Sequence, residues 1–186
     1  MIHLRAISQK AVKISSSCFP FNLALIKSLK QINLHQPVTF FVGENGSGKS
    51  TLLEAIAAGI GSITVGGEDI QTDKSLDPAR RLANQLKFVW NKRTTKGFFL
   101  RAEDFFNFAR RLNNMTKELE EQASEYEEKF SGYGLQLAKA AVLGQKAALV
   151  SKYGDNLDAN SHGESFLKLF QSRFVPGGLY LLDEPE

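Results

Sequence analysis

The 186 residues include only one cysteine, one tryptophan, two methionines and five prolines. A lone thiol, Cys18, can close no internal disulfide, and it reads as a small buried hydrophobe rather than a reactive group. No run approaches the roughly 18 consecutive apolar residues that a membrane-spanning helix needs. The first apolar stretch, Phe19 to Ile26, is broken by Pro20 and Asn22, so it lacks the continuous core of a signal peptide. These absences predict a cytoplasmic chain with no direct membrane insertion. Internal repeats and low-complexity tracts are lacking too. Acidic residues are absent before Glu44, and absent again from Pro78 to Ala102.

What is present is ordinary for a globular domain. With 42% hydrophobic and 23% charged residues, global disorder is excluded. A chain of this size can bury about 70% of the surface it exposes when unfolded, so it needs no metal or disulfide staple. The net charge of +3 conceals a segregation. Arg80, Arg81, Lys87, Lys92, Arg93, Lys96 and Arg101 gather in the acid-free stretch, interleaved with Phe88, Trp90, Phe98 and Phe99. Nucleic acid is a conceivable partner for such a stretch, but a solvated basic surface over core aromatics is the favoured reading. The six glutamates between Glu118 and Glu128 read as a solvated helix face.

Val38 to Val42 is a short β-branched and aromatic run, which predicts a buried strand. Thr51 to Ala58 is rich in helix formers and is stopped by Gly59 and Gly61. Ile2 to Ile14 predicts one or two antiparallel strands, and Ser62 to Val65 another short one. Asp77 and Pro78 mark a helix start, with Asp77 as the cap. Strands are expected at Lys87–Trp90, Gly97–Leu100 and Leu179–Leu182. Helices are expected at Glu103–Lys129, at Leu135–Val150 and after Ser161, with a loop over Lys152–Ala159. The pattern is that of an α/β domain with a helical insertion.

Between the first apolar run and the first helix lies Gly43-Glu-Asn-Gly-Ser-Gly-Lys-Ser50, which fits G-x-x-x-x-G-K-[ST]. Glycines at this spacing let consecutive backbone N–H groups turn inward around phosphates, and the following helix points its positive end at the same anion. Gly43, Glu44, Asn45, Gly46, Ser47, Gly48, Lys49, Ser50 and Thr51 are therefore the nucleotide-binding candidates. Lys49 would reach the β- and γ-phosphates, and the Ser50 hydroxyl would ligate Mg²⁺. The apolar run Leu179–Leu182 ends in Asp183 and Glu184, a carboxylate for Mg²⁺ and one to orient the attacking water. Asn91–Thr94 lacks the aspartate of N-K-x-D, which argues against guanine. Lys49 and Asp183 stand 134 residues apart, which leaves room for a substantial insertion.

These motifs resemble those of the ABC-type ATPases, with Walker A at Gly43–Ser50 and Walker B at Leu179–Glu184, continuing into Pro185. The wording around Val38–Lys49, Gly97–Glu103 and Ser161–Phe166 is similar to that of the soluble bacterial "predicted AAA family ATPases" of ABC type. The resemblance implies a P-loop NTPase fold with a mostly parallel core sheet, N-terminal antiparallel strands and a helical insertion subdomain. It implies one domain over 1–186: a nucleotide-binding core at 1–100, a helical insertion at 101–160, and a signature helix with the Walker B strand at 161–186. ATP and Mg²⁺ are the implied cofactors, and a homodimer sandwiching ATP is the implied working form.

In the place of the family signature L-S-G-G-Q stands Asn160–Glu164, where Ser161 and Gly163 match and His162 and Glu164 depart. Ser161 and Glu164 also form a capping-box pattern, compatible with a helix start offered to the partner's nucleotide. Phe19 and Phe21 are candidates for adenine stacking, and Gln85, Arg101 or Glu103 for the glutamine loop. The resemblance further implies a D-loop, another core strand and a switch histidine after Asp183. The sequence ends three residues beyond it, so the C-terminal part of the core is expected to be missing from a truncated chain. Alternatives to an ATP hydrolase are a nucleotide-binding module without significant turnover and, within the superfamily, a DNA-repair-like or transporter-associated ATPase.

Overall fold

The computed structural model describes residues 1–11, 17–154 and 162–184. The chain divides into two compact units, the first formed by Met1–Arg101 with Val175–Asp183 and the second by Ala102–Phe174 with the chain end from Glu184. Among the described residues no helix is long and apolar enough to cross a membrane.

The first unit carries two small sheets. Strand β1 (Leu4–Gln9) lies between β2 (Gln31–Asn33) and β3 (Leu86–Trp90), and both pairings are antiparallel. Ile7 faces Ile32 on one side and Phe88 on the other, so one alternating strand supplies the same apolar layer twice. Strands β4 (Gly97–Arg101) and β5 (Leu179–Asp183) pair in parallel, from Gly97 with Leu179 to Arg101 with Asp183. The expected N-terminal antiparallel strands are present, and among the described residues parallel pairing joins β4 to β5 and, through one bridge, Thr64 to Phe99.

Helix α2 (Lys49–Ile60) packs into this unit with Leu52, Leu53, Ala55, Ile56 and Ala57 all buried. Its alanines let α3 (Asp77–Ala83) approach closely, and Leu4, Ile7, Leu82 and Phe99 complete the same core. Gly61, at φ 69°, ends α2 in the left-handed conformation that glycine adopts without steric cost. A five-residue helix α1 (Ala24–Ser28) precedes β2 and buries Ile26.

The second unit is helical. Helices α4 (Ala102–Lys129) and α5 (Gly132–Tyr153) form a hairpin around Leu119, Ala123 and Val142, with Tyr126 and Leu149 at its margin. The glutamates of α4 are exposed, as a solvated face requires, and Glu120 and Glu127 pair across the hairpin with Lys146 and Lys139. Helix α6 (His162–Arg173) carries Phe166, whose ring stacks on Phe105 at 3.9 Å between centroids, and Phe170 follows one turn later.

Several sequence expectations are corrected. Val38–Val42 forms no strand: Val38, Phe40 and Val42 are exposed, and only Phe41 packs on the core. An apolar run becomes a strand only when neighbouring backbone supplies its hydrogen bonds, and among the described residues this segment joins neither sheet. Ser62–Val65 shrinks to one bridge, Thr64 with Phe99, because Gly66 turns the chain away at φ 84°. Asp77 lies inside the first turn of α3 and pairs with Arg80, while Leu76 occupies the cap position. Cys18 is exposed, in a turn where Pro20 takes the buried place. Helix α5 continues through Lys152 and Tyr153, the rest of the expected loop to Ala159 lying, after Gly154, outside the described residues.

Candidate functional site

The glycine-rich loop enters α2 through two left-handed residues, Gly46 at φ 78° and Gly48 at φ 101°. A side chain at Gly48 would be strained at that φ and would also crowd Leu23, whose Cδ1 lies 3.0 Å from the place of a Cβ. The turn is closed by the Ser47 amide, which donates to the Glu44 carbonyl at 3.2 Å. Glu44 and Asn45 are exposed at its tip, and Thr51 is half-buried in the first turn of the helix. Gly48, at the cap position of α2, offers no side chain to the first helical amides, so these are the donors that an anion could take up.

Lys49 turns back over this loop. Its Nζ donates to the carbonyls of Gly43 at 2.8 Å and Glu44 at 2.9 Å. A flexible ammonium in that position can exchange two neutral carbonyls for phosphate oxygens, which bind it more strongly. Ser50 points the other way. Its Oγ donates to Asp183 Oδ1 at 3.1 Å, a part-buried contact between residues 133 positions apart. Packing of α2 against β5 brings the hydroxyl after the glycine loop to the carboxylate at the strand end.

The donor set suits Mg²⁺. Both groups are hard oxygens, and their 3.1 Å separation is close to the ~3 Å between adjacent ligands of an octahedral ion with bonds of about 2.1 Å. Among the described residues no cluster of three or more His, Cys, Asp or Glu is present. One hydroxyl and one carboxylate are a normal protein contribution for Mg²⁺, which takes its other ligands from phosphates and water.

Beside Asp183, in register on β4, is Arg101. It is buried and its Nη2 lies 3.2 Å from Asp73 Oδ2. Asp73 is itself fixed by three further contacts: Oδ1 accepts from the Ser75 hydroxyl at 2.6 Å and the Ser75 amide at 2.9 Å, and its carbonyl accepts from Arg80 at 2.8 Å. The Ser75 hydroxyl above all, then the Ser75 amide and the Arg101 guanidinium, hold the Asp73 carboxyl below its ordinary value of 3.8 against the opposing effect of burial. Sequence reasoning named Arg101 as one of the basic stretch and as a stand-in for the glutamine loop, and passed over Asp73. The Asp73-Lys-Ser75 spacing, an aspartate two residues before a serine at the short helical turn Lys74–Leu76, was the available signal.

The remaining candidates are dispersed. Glu184 directly follows β5, exposed and in a left-handed conformation at φ 49°. Phe19 is half-exposed while Phe21 packs on the core, so of the two only Phe19 presents an open ring. Gln85 is tied between α3 and β3, its amide on the Leu82 carbonyl and its carbonyl on the Lys10 amide. Gly163 lies in the first turn of α6, whereas Ser161 and Pro185 lie outside the described residues.

No curated protein and no solved structure matches the chain. A family model described as an AAA domain matches residues 21–85, a span that contains the whole glycine-rich loop and α2. That match suggests nucleotide binding and an ATPase-type activity, in an α/β framework of mixed sheets and helices consistent with an AAA-like domain.

Proposed function

We propose that this chain binds ATP with Mg²⁺ at Gly43–Thr51 and hydrolyses it in the manner of an ABC-type ATPase. The observation that carries the reading is the Ser50–Asp183 hydrogen bond, which joins the two motifs across 133 positions. Lys49 exchanges the Gly43 and Glu44 carbonyls for the β- and γ-phosphates, and the amides at the start of α2 hold the same oxygens. Ser50 and Asp183 hold the cation, which when bound neutralises charge on the transferred phosphoryl group. Glu184 orients the attacking water and accepts its proton. In this reading Gly163, in the first turn of α6, and Ser161 before it in the sequence meet the nucleotide of a second copy, so the working form is a dimer.

A nucleotide-binding module with little turnover is the second reading, favoured by the exposure of Glu184, because a general base works best where water is excluded. Glu184→Gln separates the two. Under the first reading turnover falls about 10²–10⁴-fold while ATP affinity stays within a few-fold. Equally negligible phosphate release from both proteins, with ATP binding kept, would establish the second. Sedimentation of the Glu184→Gln protein with and without Mg·ATP tests the dimer, which requires a nucleotide-dependent doubling of mass.

A further inference from the structure

A helix with one buried side normally turns charged and polar residues to water. Helix α5 does not. Val142 and Leu149 pack toward α4. About half a turn away, Tyr133, Leu137, Ala140, Ala141, Gly144 and Ala148 share one face, and all are exposed. Tyr133 keeps 75% of its surface in water and Leu137 55%. The helix has no acidic residue, and its lysines are Lys139, Lys146 and Lys152. The first two reach back to Glu127 and Glu120 of α4, and the third lies in the last turn. From Tyr133 to Ala148 the outward stripe therefore carries no charge. Gly144 adds an independent observation. A glycine inside a helix costs about 1 kcal/mol relative to alanine, yet a Cβ there would meet nothing within 4 Å. Packing among the described residues gives no reason for the bare backbone. Close approach of another helix would.

Charge decides what can cover this face. A phosphate polymer would find no cation on the stripe. A membrane surface draws basic helices, and the exposed glutamates of α4 beside it oppose one. The pattern fits itself instead. With a two-fold axis between Ala140 and Ala141, antiparallel α5 helices set Tyr133 against the partner's Ala148 and Leu137 against the partner's Gly144. Each large side chain then meets a small one. Parallel helices would set Tyr133 and Leu137 on their own copies and leave a gap at Gly144. The 22 residues of α5 make a helix about 33 Å long, and a third of its water-accessible cylinder is about 500 Å². Two copies bury roughly 1,000 Å², enough for a weak and reversible specific contact. We infer that a second copy of this chain docks antiparallel on the outward face of α5, with Leu137 seated over Gly144. This contact needs no nucleotide and does not rest on the nucleotide site proposed above.

Sedimentation equilibrium of the 186-residue chain in chelator, without nucleotide, tests this from about 1 to 200 µM. The expected result is a mass that doubles as concentration rises. Leu137→Glu and Gly144→Lys each place one charge at an exposed position, so helix content by circular dichroism should be kept. Each is expected to raise the dissociation constant at least about tenfold. In the double variant the new carboxylate of one copy faces the new ammonium of the other at both ends of the contact. Its constant should return to within about threefold of wild type. Gln122→Arg, on the exposed side of α4, should change nothing. A wild type that stays monomeric at every concentration overturns the inference and leaves the stripe to a different protein. A dimer that the single charges do not weaken, or that the double variant does not rescue, overturns it equally. If either variant fails to fold, Ala140→Glu, Ala141→Arg and their combination make the same comparison at the centre of the contact. None of these outcomes bears on ATP binding, which calorimetry measures separately.

Discussion

Lys49 is held by two backbone carbonyls of its own loop, so its side chain is already bent toward the place where an anion would lie. Hydrogen bonds to charged partners are worth about 1.5–3 kcal/mol. Lys49→Ala should therefore weaken ATP about 10–100-fold by calorimetry, with little change in the unfolding midpoint, since the side chain lies on the surface of the loop. Asp73 behaves oppositely, as a stability residue whose contribution depends on pH. Its carboxyl lies below the ordinary 3.8 in the folded protein. The stabilisation is thus complete above that value and is lost as the pH falls through the lowered one. Urea midpoints of wild type and Asp73→Asn should differ by an amount equivalent to about 1–3 kcal/mol at neutral pH, and the gap should close in strongly acidic buffer. A gap that widens on acidification would contradict the assignment.

At the scale of elements, the strands were legible where alternation and turn residues agreed. Leu86–Trp90 and Gly97–Arg101 appear within a residue of their expected bounds, and so does the long helix from Ala102. Val38–Val42 failed because composition specifies that a segment can be a strand, while pairing requires a neighbour that composition does not name. Gly97 shows the reverse, a single residue on which a pairing depends. It sits at φ 118° and any Cβ there would run into the Leu179 backbone. Gly97→Ala should cost at least ~1–3 kcal/mol from backbone strain alone and should break the first β4–β5 pair. A lowered unfolding midpoint together with loss of the Ser50–Asp183 coupling, read as weaker Mg²⁺ dependence of ATP binding, would show it.

At the scale of the whole molecule, the first unit and the α4–α5 hairpin of the second are held together differently. The first gathers its apolar side chains from two sheets and from α1, α2 and α3, whereas the α4–α5 hairpin is held by Leu119, Ala123 and Val142 with surface ion pairs. Surface pairs contribute about 0–1 kcal/mol each. Amides in the distal halves of α4 and α5 should therefore exchange with deuterium well before those of α2 and β1. Uniform protection across both units would mean that they unfold as one.

The sequence by itself determined the glycine loop, the lysine and hydroxyl that follow it, and the carboxylates closing an apolar run. Those depend on local spacing, because a loop that admits phosphate needs glycines at fixed offsets and a helix immediately after. Only the tertiary structure decided that Ser50 meets Asp183, that Val38–Val42 stays outside the sheets, and that Asp73 holds Arg101. Each of these joins segments distant in the chain, and such contacts follow from which strands find partners and which faces are buried. No local pattern encodes that outcome.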